Sequence, residues 1–232
     1  MADLRRRGGW AAIAGALLAV AGNAAVFMAA PAVPAGWVSY PLSIPDYQFG
    51  QVYFAATQAL MAAGIIALVR SPVVRPGTSG RVFGWLAIVG MILTVPGELV
   101  LIPVAGSDVD SASASAASSL FGIAVLLSNV GLIGFGVLTL RQHRWPAPWR
   151  HLPLTIGLFQ LVVVTPVALS AGFASAAAFG VITVADLLIA ALGVALVRVQ
   201  ISTGDVAPHV SSTERTTAPT AAGTTAGSAT PT

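Results

Sequence analysis

Two carboxylic acids, Glu98 and Asp186, stand inside long apolar stretches of this chain, where a carboxyl group can exchange a proton or hold a cation. Amides occupy comparable positions at Asn23, Gln58, Asn129 and Gln160, with a hydroxyl at Thr165, and these supply hydrogen bonds. The placement has a rhythm: Gln58, Asn129 and Asp186 each lie 12 residues before an arginine, Arg70, Arg141 and Arg198. A helical rise of 1.5 Å per residue puts each of them ~18 Å from its arginine. An ionised carboxylate at that depth costs ~2.5–3.5 kcal/mol on insertion scales, so Glu98 and Asp186 are expected to face the interior of a helix bundle.

The bilayer is the solvent implied by the rest of the chain. With 232 residues, 56% hydrophobic and only 8% charged, it carries more apolar surface than a water-soluble globule of that size can bury. Six apolar runs, 10–30, 51–69, 82–104, 118–140, 152–172 and 177–197, each approach the roughly 20 residues needed to cross a bilayer. The expected domain is residues 1–201, followed by a Thr/Ala/Ser-rich tail, 202–232, with no apolar period and a disordered composition. Arginines fall at the N-terminus, in the second and fourth loops and after the sixth run, whereas the odd loops carry Asp46, Asp108 and Asp110 and no basic residue. By the positive-inside rule both termini are cytoplasmic and the protein sits in the plasma (inner) membrane. Arg5, Arg6 and Arg7 with the small residues at 30–32 also fit a secretory signal, but an apolar stretch of about 21 residues is longer than a signal h-region of about 7–15.

An internal repeat is visible. Gly9-Trp10-Ala11-Ala12-Ile13-Ala14-Gly15 matches Gly84-Trp85-Leu86-Ala87-Ile88-Val89-Gly90 at an offset of 75, which places Asn23 on Glu98. An offset of 67 then carries Gly90 onto Gly157 and Glu98 onto Thr165. The second helices share their ends, Ala67-Leu68-Val69-Arg70 and Ala195-Leu196-Val197-Arg198, with Leu138-Thr139-Leu140-Arg141 close to both. The expected fold is an all-α membrane protein of six transmembrane helices, three similarly oriented hairpins in a pseudo-threefold internal repeat. The polar residues of the six helices would then share one layer just outward of the midplane, where Pro96 and Pro166 are expected to interrupt helices three and five.

The loops carry weaker signals. Residues 31–50 combine four prolines with Trp37, Tyr40, Tyr47 and Phe49, and either cap an outward cavity or lie as an aromatic belt on the headgroups. Residues 107–119 are Ser/Ala-rich and read as a flexible connector. Arg141, Arg144, Trp145, Trp149 and Arg150 combine basic and aromatic side chains at a membrane edge, a setting that attracts anionic lipid.

Several classes of chemistry find no residues here. Cysteine is absent, and all three histidines lie outside the apolar runs, so no metal site, intramembrane haem or other cofactor is expected. There is no G-x-S-x-G elbow, H-E-x-x-H or phosphate loop, and Gly77-Thr78-Ser79-Gly80, which superficially resembles the G-x-S-G of rhomboid proteases, lies in a basic loop without an intramembrane histidine. No enzymatic activity and no nucleic-acid partner are expected. All eleven basic residues are arginine, which reads as a GC-rich, bacterial coding bias.

Ser39-Tyr40-Pro41, Gly97-Glu98-Leu99 and Leu152-Pro153-Leu154 with Gly157, taken with the three-hairpin layout over residues 5–200, resemble a broad group of multi-pass membrane proteins of actinobacteria. That resemblance implies a membrane location and no particular activity. Two expectations for function stand side by side. One is a small transporter, carrier or ligand-binding protein with its polar centre at Glu98 and Asp186; the other is an accessory subunit or scaffold, paired with itself or a membrane partner protein, whose polar layer only joins helices.

Overall fold

Among the described residues six helices are long and apolar enough to cross a membrane, and they make the chain a multi-pass membrane protein. The computed structural model describes residues 2–74, 77–172 and 174–198; Arg75 and the expected tail at 202–232 lie outside the described residues. The helices are α1 (Ala2–Met28), α2 (Ile44–Arg70), α3 (Thr78–Val100), α4 (Ala112–Gln142), a composite fifth span, and α7 (Ala176–Arg198). The fifth span comprises a 3₁₀ turn (Trp149–His151), α5 (Leu152–Phe159), a π-helical turn (Gln160–Val164) and α6 (Thr165–Ala171).

Helix boundaries follow local chemistry more than apolar run length. Ser43 caps α2, accepting from the Asp46 main-chain N–H, with Pro45 in the first turn, so α2 begins seven residues before the expected start at 51. Ser111 caps α4 in the same way through the Ala114 N–H, and residues expected to form a flexible connector up to 119 are helical from Ala112. A Ser/Ala composition without proline or glycine tolerates helix once a cap has fixed its start. Left-handed His143, at φ 50°, terminates α4, and Gly172, at φ 76°, terminates α6.

Pro96 does not break its helix: α3 runs through it without interruption. At Pro166 the outcome differs. The missing N–H is accommodated by the π turn just before it, in which the Thr165 N–H reaches back to the Gln160 carbonyl.

Packing runs around a ring. α1 lies against α2 and α7, α2 against α3, α3 against α4, α4 against α5, and the fifth span against α7. Glycines set the closest approaches, because a Cβ at Gly90 would overlap the Ser128 backbone of α4, and one at Gly131 the Ala87 backbone of α3. Similarly, Gly15 admits the Thr57 carbonyl of α2, Gly136 admits Leu154 of α5, and Gly9 and Gly193 bring α1 and α7 together.

Both ends of the ring are covered. At the end where the arginines lie, Trp145 is only 1% exposed and joins the core with Val73 and Val74 from the loop after α2. Arg144 donates to the Pro72 carbonyl at 3.2 Å, fastening the two loops together. This corrects the expectation of an interfacial Trp145: the indole fills a gap between loops and leaves the membrane edge to Trp10 and Trp85, both more than half exposed. At the opposite end, residues 36–39 pair with residues 105–109 through Val38 N–H to Ser107 O (3.0 Å), Ser39 N–H to Ala105 O (3.1 Å) and Val109 N–H to Gly36 O (2.8 Å). The first long loop is thus strapped to the connection between α3 and α4.

Candidate functional site

Glu98 lies near the C-terminal end of α3 and is 8% exposed. Its partners come from α2. With the Gln51 amide oriented to satisfy its surroundings, Nε2 donates to Glu98 Oε2 at 2.6 Å and to the Glu98 main-chain oxygen at 3.2 Å, while Gln51 Oε1 accepts from the Tyr47 hydroxyl at 3.1 Å. A further side-chain hydrogen bond joins Glu98 to Gln58. Thr94, one turn before Glu98, donates to the Gln58 oxygen at 3.5 Å and to the Met91 carbonyl at 2.7 Å. The result is a polar chain, Tyr47–Gln51–Glu98–Gln58–Thr94, buried at Gln51, Glu98 and Thr94 and half-buried at Tyr47 and Gln58, in the seam between α2 and α3.

Asp186 occupies a different seam. It is 7% exposed, halfway along α7, and accepts from Asn23 Nδ2 of α1 at 3.1 Å. Farther from the arginine end, one turn along α1 and two along α7, Phe27 and Phe179 stack with ring centroids 4.7 Å apart, closing the same α1–α7 contact. Thr183, on the turn before Asp186, has a buried hydroxyl oxygen without a partner.

The remaining residues singled out by sequence fall at the third seam. Asn129 is 1% exposed on α4, and its Nδ2 has no hydrogen-bond partner. Thr165 turns its hydroxyl back to the Gln160 carbonyl at 2.9 Å, inside its own helix. Gln160 opens the π turn. Among the described residues no hydrogen bond joins Glu98 to Asp186, and the acids form two amide-lined clusters on separate seams.

Sequence reading missed Gln51, Tyr47 and Thr94. Gln51 precedes Gln58 by seven residues, two helical turns, so the same face of α2 carries both amides; that spacing was the available signal. Among the described residues the one ion pair is Arg7–Asp3, at 3.0 Å and well exposed, so neither buried acid has a cationic side chain against it. Among the same residues no three His, Asp or Glu side chains come together as a metal site would require. Comparison with protein-family models, with curated proteins and with solved structures finds no match to this chain.

Proposed function

We propose that this chain is a small carrier or ligand-binding protein of the bacterial plasma membrane, with both termini cytoplasmic and a polar intramembrane centre responsive to a proton or cation. The observation that carries this reading is Glu98: a buried acid held by Gln51 and Gln58, linked through Gln51 to Tyr47, and without a cationic neighbour among the described residues. An acid in that setting offers a negative site already lined with donors and acceptors, and a purely structural role is served at lower cost by an amide. The architecture in this reading is three similarly oriented hairpins about a pseudo-threefold axis. Two of its polar bonds obey one cyclic rule, since the first helix of each hairpin meets the second helix of the preceding one: Glu98 with Gln58, and Asn23 with Asp186. The glycine contacts support it as well. Gly15 meets Thr57 and Gly90 meets Ser128, and these pairs are related by the same offsets, 75 and 71, that align Trp10 with Trp85 and Arg70 with Arg141. The exposed arginines at one end are suited to anionic lipid, and the resemblance to actinobacterial six-helix proteins is consistent with a bacterial source. We assign the protein no catalytic role.

A second reading is favoured by the Asn23–Asp186 bond. It ties α1 to α7 as interhelical glue would, and it suits an accessory subunit or scaffold. One experiment separates the two: purification in mild detergent, with mass spectrometry of everything that copurifies, for wild type and for the Glu98→Gln, Asp186→Asn double variant. A stoichiometric small molecule lost in a folded variant supports the carrier. A stoichiometric protein retained by both supports the scaffold. Orientation is tested separately on the cysteine-free background with Ser79→Cys and Ser113→Cys. An impermeant maleimide should label intact cells only at 113; labelling at 79 reverses the topology.

A further inference from the structure

α3 carries two charged side chains: Glu98 turns into the α2 seam, and Arg81, at the arginine end, stays exposed. Among the described residues the Arg81 guanidinium has no ion pair and no hydrogen-bond acceptor. It lies on a groove of about 550 Å³ lined by Thr78, Arg81, Val82, Trp85, Leu86 and Val89. These positions recur every three or four residues, so they form one stripe along α3, polar at its start and apolar from Val82 onward. Val82, Trp85 and Val89 are each 42–57% exposed, so the stripe is open to whatever surrounds the protein. Thr78 to Val89 spans ~16 Å of helix, close to the roughly 15 Å that one leaflet contributes to the hydrocarbon. That length suits one lipid molecule, whereas a membrane-spanning partner helix would run about twice as far.

We propose that this groove is a discrete site for one anionic phospholipid, its phosphate held by Arg81 and Thr78 and one acyl chain lying along Val82, Trp85 and Val89. Charge selects the headgroup. Arg81 is the one ionised group in the groove and no carboxylate lines it, so a phosphate meets a free guanidinium, the side chain best shaped to pair with it through two parallel hydrogen bonds. The Thr78 hydroxyl adds a donor, and the exposed Trp85 indole suits the headgroup boundary. The matching stripe of α1, at the offset of 75, keeps Trp10 but places Asp3 where α3 has Thr78. Asp3 is ion-paired with Arg7 at 3.0 Å, and Ala11 and Ala14 stand where α3 has Leu86 and Val89, so that stripe offers a carboxylate and smaller walls. The site builds on the suitability of the arginine end for anionic lipid. Glu98 and Asp186 take no part in it, so its failure would leave the carrier reading untouched.

The full chain is delipidated in mild detergent and titrated with phosphatidylglycerol, and bound lipid is counted by native mass spectrometry. The expected result is a first binding event of one lipid per chain, at least fivefold tighter than for phosphatidylcholine with the same acyl chains. Arg81→Gln should weaken that event at least fivefold, whereas Arg6→Gln, the matching and equally exposed arginine of α1, should leave it unchanged. Val89→Trp fills the apolar half of the groove from an exposed position and should weaken it as well, so it decides the matter if Arg81→Gln is poorly folded. Equal affinity for the two lipids overturns the proposal, as does an equal loss in Arg6→Gln and Arg81→Gln, which would mean diffuse attraction to the arginine end. Undiminished binding in folded Arg81→Gln or in Val89→Trp overturns it too. Displacement of the lipid by an equimolar amount of glycerophosphoglycerol, the same headgroup without chains, would make this a site for a free anion and overturn it. So would a dimer of the chain that forms in place of lipid binding and is lost in Val89→Trp.

Discussion

Asn23 Nδ2 donates to Asp186 Oδ2 at 3.1 Å, joining the first membrane helix to the last across 163 residues of sequence. A double-mutant cycle with Asn23→Leu and Asp186→Leu isolates that bond. The expected coupling is about 0.6–1.7 kcal/mol, in the range of intramembrane hydrogen bonds, read by reversible denaturation in mixed micelles. Zero coupling would mean that the two side chains are held in place independently.

At the α2–α3 seam, Glu98→Leu removes the acceptor of Gln51 and Gln58 and leaves the buried Gln51 amide unsatisfied. A loss of about 1–3 kcal/mol is expected for that single change. Glu98→Gln keeps one acceptor oxygen and should lose less, and adding Gln51→Leu to Glu98→Leu should restore part of the difference. The same denaturation assay ranks all three variants.

Glycines of identical type should respond in opposite ways. Gly90→Ala drives a methyl group into the Ser128 backbone and should destabilise the protein by about 1–3 kcal/mol as α3 and α4 are forced apart. Gly122→Ala and Gly180→Ala, where nothing lies within 4 Å, should be neutral or stabilise by up to about 1 kcal/mol through helix propensity. Midpoints of thermal unfolding in detergent suffice to show the difference in sign.

Tryptophans divide similarly by location. Trp145→Ala empties a fully enclosed volume between two loops and should destabilise by about 3–5 kcal/mol. Trp85→Ala removes a side chain that is more than half exposed and should barely move the unfolding midpoint in detergent.

The extent to which this fold is legible in the sequence depends on the kind of interaction. Six helices follow from run length and apolarity, because a bilayer imposes both. Their true starts at Ile44 and Ala112 depend on the caps Ser43 and Ser111, which lie outside the apolar runs and carry no hydropathy signal. Burial of Glu98 and Asp186 could be expected from the cost of exposing a carboxyl to lipid. Their partners could not, since nothing local says that α1 lies beside α7 or that α2 brings Gln51 and Gln58 to α3. Trp145 misleads for a related reason: beside arginines at a membrane edge tryptophan usually anchors to headgroups, and here the shape of the neighbouring loop draws it inward.

The long-range closure of α1 on α7 has a consequence for how the protein is made. At synthesis rates of about 5–20 residues per second, the 163 residues separating Asn23 from Asp186 take roughly 8–33 s to emerge. Throughout that interval α1 lacks the acid its Asn23 amide donates to and, at Gly9, the helix that covers its glycine face. A chain that ends before α7 thus keeps both of these α1 surfaces open, and the final helix acts as the seal that closes them.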